Sequence, residues 1–343
     1  MSPKIKLSSM AATIGVAALL SASLTSCQKD QQAAPVAKSS VAPNSMTVVN
    51  TTSSLATTYA TAAPISYYSK SNVTISGLSI SGGTNCIALY NCINVHITNC
   101  RLADASLYGI MLNNCQNVTV DNCFITNVKS GVHVYQGSTI KVNSNQFLNM
   151  LGPFPDGCFV QFAGVSGGGN QINSNKCEDI AGVGHPQDGL SLYQCNGLPG
   201  DSIQVIGNWI RGGQIQHDSG GAAGIVLGDV GGSYQVARWN KLVNPGYVGA
   251  QIQGGSHIKM DHNVIYGAST PYSNAGMCYA NYSGSLSTDV NMSYNWIKYY
   301  QTSGAEWDVW VDKSVSAPTG WNTNYLKAGI SATILPTTII TMQ

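Results

Sequence analysis

Residues 118–147 read VTVDNCFITNVKSGVHVYQGSTIKVNSNQF, and this stretch holds the unit from which most of the chain is built. Its two ends are versions of one phrase, alternating apolar and polar residues running into an asparagine, Asn122 in the first and Asn145 in the second. Val118 and Val120, followed by Phe124, show the alternation of a short half-buried strand. The phrase returns as VHITNC, QINSNKC, IQVIGNWI, YQVARWNKL, IKMDHNV and VNMSYNWI. Asparagine thus recurs at 99, 122, 145, 175, 208, 240, 263 and 295, in steps of 23, 23, 30, 33, 32, 23 and 32 residues. A second marker keeps pace, a glycine opening an apolar triplet: GIML, GVHV, GCFV, GLSL, GIVL, GAQI and GMCY, from Gly109 to Gly276. Two phase-locked markers on a variable period of this length indicate a solenoid.

A minimal period of 23 residues accommodates three short strands and three turns, the rung of a large parallel β-helix. A leucine-rich repeat has a similar period but needs a leucine-dominated strand phrase that this chain lacks. Asparagine at a fixed rung position stacks on itself at the inter-strand spacing of ~4.8 Å, and it tolerates the left-handed conformation of a bend. The register extends back to Ser76 in VTISGLSI. Composition fits: 37 of 343 residues are glycine and only 9% are charged, the punctuation a sheet needs to turn every few residues. Cys92 and Cys115 lie one step apart, as do Cys100 and Cys123. Stacked thiols inside the solenoid explain that spacing as small apolar residues, with a disulfide or metal role as the alternative. No zinc-spaced cysteine pair occurs, and ten cysteines over this length make no disulfide scaffold.

The ends read differently. Lys4 and Lys6, the apolar run AATIGVAALL and Leu24-Thr25-Ser26-Cys27 form a processing segment, 1–27, too short in its apolar part to remain as a membrane span. It resembles the bacterial lipoprotein signal of Gram-negative cells, in which the cysteine, here Cys27, carries lipid and begins the mature protein. Gln28-Lys29-Asp30 is similar to the charged tag of surface-exported lipoproteins of the Bacteroidetes group. That resemblance implies an outer-membrane lipoprotein exposed at the cell surface, bound to the membrane through its lipid alone. Residues 28–68, rich in Ala, Ser, Thr and Pro, read as a flexible tether, residues 69–312 as the solenoid, and 313–343 as a segment that shields its last rung.

The rungs grow unevenly. The steps after Asn145, Asn175 and Asn208 exceed the base period, and the distance from asparagine to the next glycine rises from 9 residues at Asn122 to 12, 14 and 16. The added segments are FLNMLGPFPD, EDIAGVGHPQD and IRGGQIQHDSGGAA. Insertions on one edge of consecutive rungs build a wall beside the sheet, with GVHV, GCFV, GLSL and GIVL as the floor. Alternation with Val132 and Val134 inward turns His133 and Tyr135 outward, then Phe159 and Gln161, Ser191 and Tyr193, Val226 and Gly228, and Gln251 and Gln253. Aromatics mixed with amides on such a strip suit sugar rings; a merely solvated strip would carry more Lys, Glu and Thr.

Asp156 and Asp188 each precede a rung glycine, and stacked at ~4.8 Å two carboxylates repel, raising one pKa unless a cation intervenes. Aspartate before glycine also simply favours a turn. His185, His217 and Asp218 add titratable groups at the same edge, Arg211 begins the third insertion, and Asp229 follows the floor strand. The candidate catalytic set is therefore Asp156, Asp188, His217 and Asp218. The candidate substrate contacts are His133, Tyr135, Phe159, Gln161, His185, Tyr193, Arg211 and Gln251.

The rung phrases resemble those of the right-handed parallel β-helix superfamily, which includes pectate lyases and polygalacturonase-like glycosidases. The resemblance implies an all-β solenoid over 69–312 and cleavage of a polysaccharide in a groove along one sheet. The hydrolases' Asn-Thr-Asp, paired Asp-Asp, Gly-His-Gly and Arg-Ile-Lys phrases are not intact here. Three functions stay open. A glycoside hydrolase uses two flanking carboxyls and no cofactor. A calcium-dependent lyase would place Asp156, Asp188 and Asp218 on the ion, with Arg211, Arg238 or Lys241 as base. A glycan-binding or surface structural protein needs neither. A net charge of +1 and 16 Lys plus Arg offer little pull on a polyanion, which favours a neutral or weakly acidic glycan. The same balance lacks the basic stripe of a nucleic-acid binder, and a monomer is expected.

Overall fold

The computed structural model describes residues 58–153, 157–213, 223–282 and 287–342. Cys27, Asp156, His217 and Asp218, singled out above, lie outside the described residues.

Each rung contributes a strand to three parallel sheets. A back sheet of 11 strands runs from Ala60–Ala62 to Tyr325–Leu326. A floor sheet runs from Ile65–Tyr68 through Tyr108–Asp121, Ser130–Asn143, Val160–Val165, Leu190–Asn196 and Ala223–Arg238 to Val309–Val311. The long strands bend midway, and their second halves join Ser71–Ser76, Ser256–Asp261 and Thr288–Ser293 in a flank sheet. Pairing is parallel in all three, as at Val132↔Ile110, Lys141↔Thr119 and Phe147↔Ile125. The chain is a parallel β-helix.

The inward residues form one continuous core in which Ile110, Leu112, Val118, Val120 and Ile125 of a single rung are wholly buried. At about 1.5–3 kcal/mol for each buried aliphatic side chain, one rung's inward set rivals the net stability of a typical domain before conformational entropy is subtracted. All nine cysteines among the described residues are free and buried, so the stacked thiols are core packing.

The asparagine line forms with one correction. Asn145, Asn175, Asn208, Asn240, Asn263 and Asn295 stack between flank and back sheets, and Asn324 extends the stack by a rung the sequence reading missed. Each side-chain oxygen accepts from the preceding asparagine's backbone N–H and amide, and each amide also donates to a carbonyl one rung further back, as Asn208 does to Ile172. Asn99 and Asn122 stand one residue earlier, in the left-handed bend at φ 49° and 50°. At their rungs the ladder position is held by Cys100 and Cys123, and the Cys123 N–H donates to Asn145 Oδ1 at 3.0 Å. Two adjacent sites in one turn both favour asparagine, one for its αL tolerance and one for its amide, so the one-residue offset at this rung, where Cys123 and Asn145 lie 22 residues apart, passes unseen.

The glycine marker reflects a close approach at the corner where a rung enters the floor. A Cβ on Gly131 would lie 2.5 Å from the Phe159 carbonyl and 2.6 Å from the Phe147 ring. At the chain's far end, Val315 and Trp321 pack against the core. Residues 328–342 then run over the outer face of the back sheet, where Leu335, Ile339 and Ile340 bury against Phe124 and Val243. Glu178 accepts from the Ile339 N–H, and Gln146 both accepts from Thr341 N–H and donates to its hydroxyl.

Candidate active site

The floor sheet's outward face presents Met111, His133, Gln161, Ser191, Val226, Gln251 and Cys278 along one line of paired positions. A second line carries Asn113, Tyr135, Ala163, Tyr193 and Asp229. His133 is largely buried and stacks on the Tyr108 ring at 4.7 Å between centroids. Tyr135 stands exposed, and Tyr193 is half-buried. Gln161 Oε1 and Ser191 Oγ, together with Gln187 Oε1 from the wall, are buried polar atoms with no partner among the described residues. Further along, Val226 and Cys278 lie under Tyr247, Trp307 and Trp310, so an apolar cluster closes that end of the strip.

Two carboxyls with raised pKa border this strip, Asp188 at its wall edge and Asp229 level with Tyr193 on the next rung. Asp188 sits on the wall edge just before Leu190–Asn196 and is 5% exposed; its Oδ1 accepts from the Ala223 N–H of the next rung at 3.0 Å. Burial, reinforced by the negative charge of Asp229, pushes Asp188 up to about 7. Asp229 pairs with Tyr193, and burial pushes it up to about 6. A bulge places Asp229 there: the register runs Ser191↔Val226 and then Tyr193↔Asp229, one extra residue on the second strand. Gly228 takes φ 62° inside the bulge, its N–H donating to the fully buried Gln235 side chain, which itself donates to the Cys195 carbonyl. Bulges that re-aim a side chain are common beside active sites. Asp179, which the sequence reading did not single out, lies in the second inserted segment with both oxygens buried and no partner among the described residues, and burial pushes it up to about 7.

These shifts fix a pH dependence of folding. Asp179 and Asp188 have an ordinary value of 3.8 and bind a proton in the folded chain up to about pH 7. Between those limits the native state holds more protons than the unfolded one, so stability is greatest below pH 4 for these groups and falls as pH rises toward 7. Urea unfolding should show that decline, and Asp179→Asn should flatten it; an unchanged slope in that variant would contradict the assignment.

Other expected residues are placed elsewhere. Phe159 is wholly buried beside Phe147 at 6.3 Å between centroids, because it and not Gly157 occupies the rung-glycine position against Gly131. The same offset makes Cys158, and not Asp156, the residue level with Asp188 on the preceding rung. Arg211 belongs to the back sheet, where it donates to the Ala332 and Leu335 carbonyls of the C-terminal segment. Arg238 lies on the flank sheet against Asp261, and Lys241 lies on the back sheet over the Trp209 ring. Val226 is covered, and Gln251, 8% exposed, faces outward. His185 is half-buried on the wall, its N–H donating to the Met150 carbonyl. No group of three or more His, Cys, Asp or Glu among the described residues converges as a metal centre.

Residues 63–226 match the model of a family described as a right handed beta helix region, and the fold is accordingly a right-handed parallel β-helix. No curated protein matches the chain. Among solved structures it is similar to the catalytic domain of a GH87 alpha-1,3-glucanase in complex with nigerose and to a substituted form of that domain in the same complex. Each is 11% identical with a TM-score of 0.41, covering 81% of this chain and 55% of the other. The chain thus spans about half the length of those structures.

Proposed function

We propose that the protein is a glycoside hydrolase that cleaves a neutral or weakly acidic polysaccharide lying along the floor strip. The observation that carries this reading is the pair Asp188 and Asp229, two carboxyls raised to about 7 and about 6 at one polar, partly aromatic strip. Environments that hold one carboxyl protonated while its neighbour ionises divide acid from base. Asp188 donates its proton to the glycosidic oxygen as the C1–O bond breaks. Asp229 as carboxylate takes a proton from the water that adds to C1, which balances the reaction as hydrolysis. Tyr135, exposed, and Tyr193, half-buried, supply the aromatic surface that sugar C–H groups favour.

The lyase reading loses its candidate bases at this face. Its candidate bases Arg211, Arg238 and Lys241 belong to other sheets, and the outward floor positions named above carry no Lys or Arg to neutralise a uronate. Incubation of the full chain with a panel of neutral and uronate polysaccharides, read by new reducing ends, tests the proposal; turnover confined to uronates would overturn it.

We also propose that lipid on Cys27 holds the protein at the outer membrane, with the solenoid outside the cell. Cys27→Ser should shift it from the membrane pellet to the soluble fraction. Retention of the substituted protein in the pellet, with no lipid on the native one, would contradict the anchor.

A further inference from the structure

The second inserted segment leaves the back sheet at Asp179 and reaches the floor at Asp188. Its base is fixed to both neighbouring rungs: the Asp179 N–H donates to the Arg211 carbonyl, and the Ile180 N–H donates to Asn149 Oδ1 at 2.9 Å. The chain then turns back on itself, with the N–H groups of Val183 and Gly184 both donating to the Ile180 carbonyl at 2.9 and 3.4 Å. Beyond the turn the His185 N–H donates to the Met150 carbonyl and the Gln187 N–H to the Gly157 carbonyl. Little apolar packing holds the turn down, since Ile180 and Val183 at its tip are 50% and 44% exposed. Segments with few buried apolar contacts open at low cost.

The turn closes over a carboxyl. Asp179 is 5% exposed, and neither of its oxygens has a hydrogen-bond partner. Gly184 rests directly on it: a Cβ there would lie 1.6 Å from Asp179 Oδ1, so the carboxyl fills the space of a side chain and leaves no room for a counter-ion on that side. The flanking strands carry Glu178 and Arg211, but both side chains are taken up by the C-terminal segment. The wall itself adds His185 and Asp188. None of these charges offsets the cost of burial, which alone pushes Asp179 up to about 7. A buried carboxyl in such a place is tolerable when neutral and costly when ionised. Lifting the turn 180–184 away is the shortest route by which water can reach it.

We infer that residues 180–187 are a lid beside Asp188 and that Asp179 is its latch, shut while the carboxyl carries a proton and released when it ionises. The sign follows from linkage. Shut, the carboxyl keeps its proton up to about 7; open and hydrated, it titrates near its ordinary 3.8. The shut form is therefore fully favoured below about pH 4, loses ground by roughly tenfold per pH unit up to about 7, and changes no further above it. Asp188 ends the segment and is itself 5% exposed in the shut arrangement, so a glycan reaches it when the segment moves. The latch stands on the geometry of the wall; only its consequence for cleavage rests on hydrolysis at Asp188 and Asp229.

Hydrogen exchange of the full chain, followed by mass spectrometry from pH 4 to 8 and corrected for the intrinsic rate, tests the latch. The amides of Val183, Gly184, His185 and Gln187 are its reporters, because their hydrogen bonds are the ones that opening breaks. Their protection should fall roughly tenfold per pH unit between about 4 and 7 and then level off, while the core-strand amides of Val118 and Val120 stay protected. In Asp179→Asn the reporters should keep one level of protection across the range. Gly184→Ala sets a methyl against the carboxyl and should release the reporters even at pH 4, with the core amides unchanged. Protection independent of pH in the native chain, the same slope in Asp179→Asn, or core amides that fall in step with the reporters would each overturn the latch. Glycan turnover is a separate readout: its absence in every protein would sink the hydrolase reading and leave the exchange result standing.

Discussion

Asp188→Asn should reduce glycan cleavage by roughly 10²–10⁴-fold, the usual contribution of a positioned acid or base, while leaving the solenoid folded. The substitution separates chemistry from architecture. Asp188 Oδ1 accepts the Ala223 N–H, and an asparagine carbonyl accepts it equally well. If the carboxyl only shapes the turn, as Ser130 does at the same edge two rungs earlier by accepting the Cys158 N–H, the variant keeps full activity. If it supplies a proton, activity goes and the fold stays. Asp229→Asn should give a loss of the same order, with Asp188 then titrating lower because its charged neighbour is gone. The pH–rate profile of the native protein should fall on the alkaline side as Asp188 ionises near about 7 and on the acid side as Asp229 protonates near about 6. Far-ultraviolet circular dichroism recorded beside the rates shows that the variants remain folded.

Asn208→Leu should destabilise the chain by roughly 3–6 kcal/mol, since buried groups stranded without partners cost about 1–3 kcal/mol each. Asn208 Oδ1 accepts from both the backbone N–H and the amide of Asn175, and its amide donates to Ile172 O and Asn240 Oδ1. Leucine fills the space and satisfies none of these groups. Asn122→Ser is the matched control. Asn122 is exposed in the αL bend, where Ser144 and Ser174 stand in the next rungs, so its replacement should cost within about 0.5 kcal/mol. Denaturant unfolding of the two variants checks both values. Equal losses would mean that the two asparagines share one role, contrary to the observed one-residue offset.

That offset marks where the sequence was legible. Periodicity is a property of the core, and inward residues such as Val118, Val120 and Ile125 repeat because each rung rests on the last. Strand, turn and floor could be read from them. What failed was register by one or two residues, which periodicity does not resolve when neighbouring sites accept the same residue. Asn99 and Asn122 were aligned with the ladder they precede, and Gly157 was taken for the corner glycine that Phe159 replaces. The second slip turned a core phenylalanine outward and levelled Asp156 with Asp188. Arg211 was misplaced for another reason: its partners are carbonyls more than a hundred residues away, in the C-terminal segment folded over the back sheet. Asp229 was noted from its place after the floor strand, but the bulge that aims it depends on Gln235 reaching back to Gly228, which no repeat announces.

Product analysis is the most direct test of glycan cleavage at the floor strip. The full chain and its D188N/D229N variant are incubated with a panel of neutral and uronate polysaccharides, and products are followed by reducing-end assay and by the ultraviolet absorbance of unsaturated uronides. Hydrolysis at Asp188 and Asp229 predicts new reducing ends from at least one neutral polymer, no unsaturated product, and loss of the new reducing ends in the variant. Unsaturated uronide products, or turnover that persists undiminished in the variant, would contradict it.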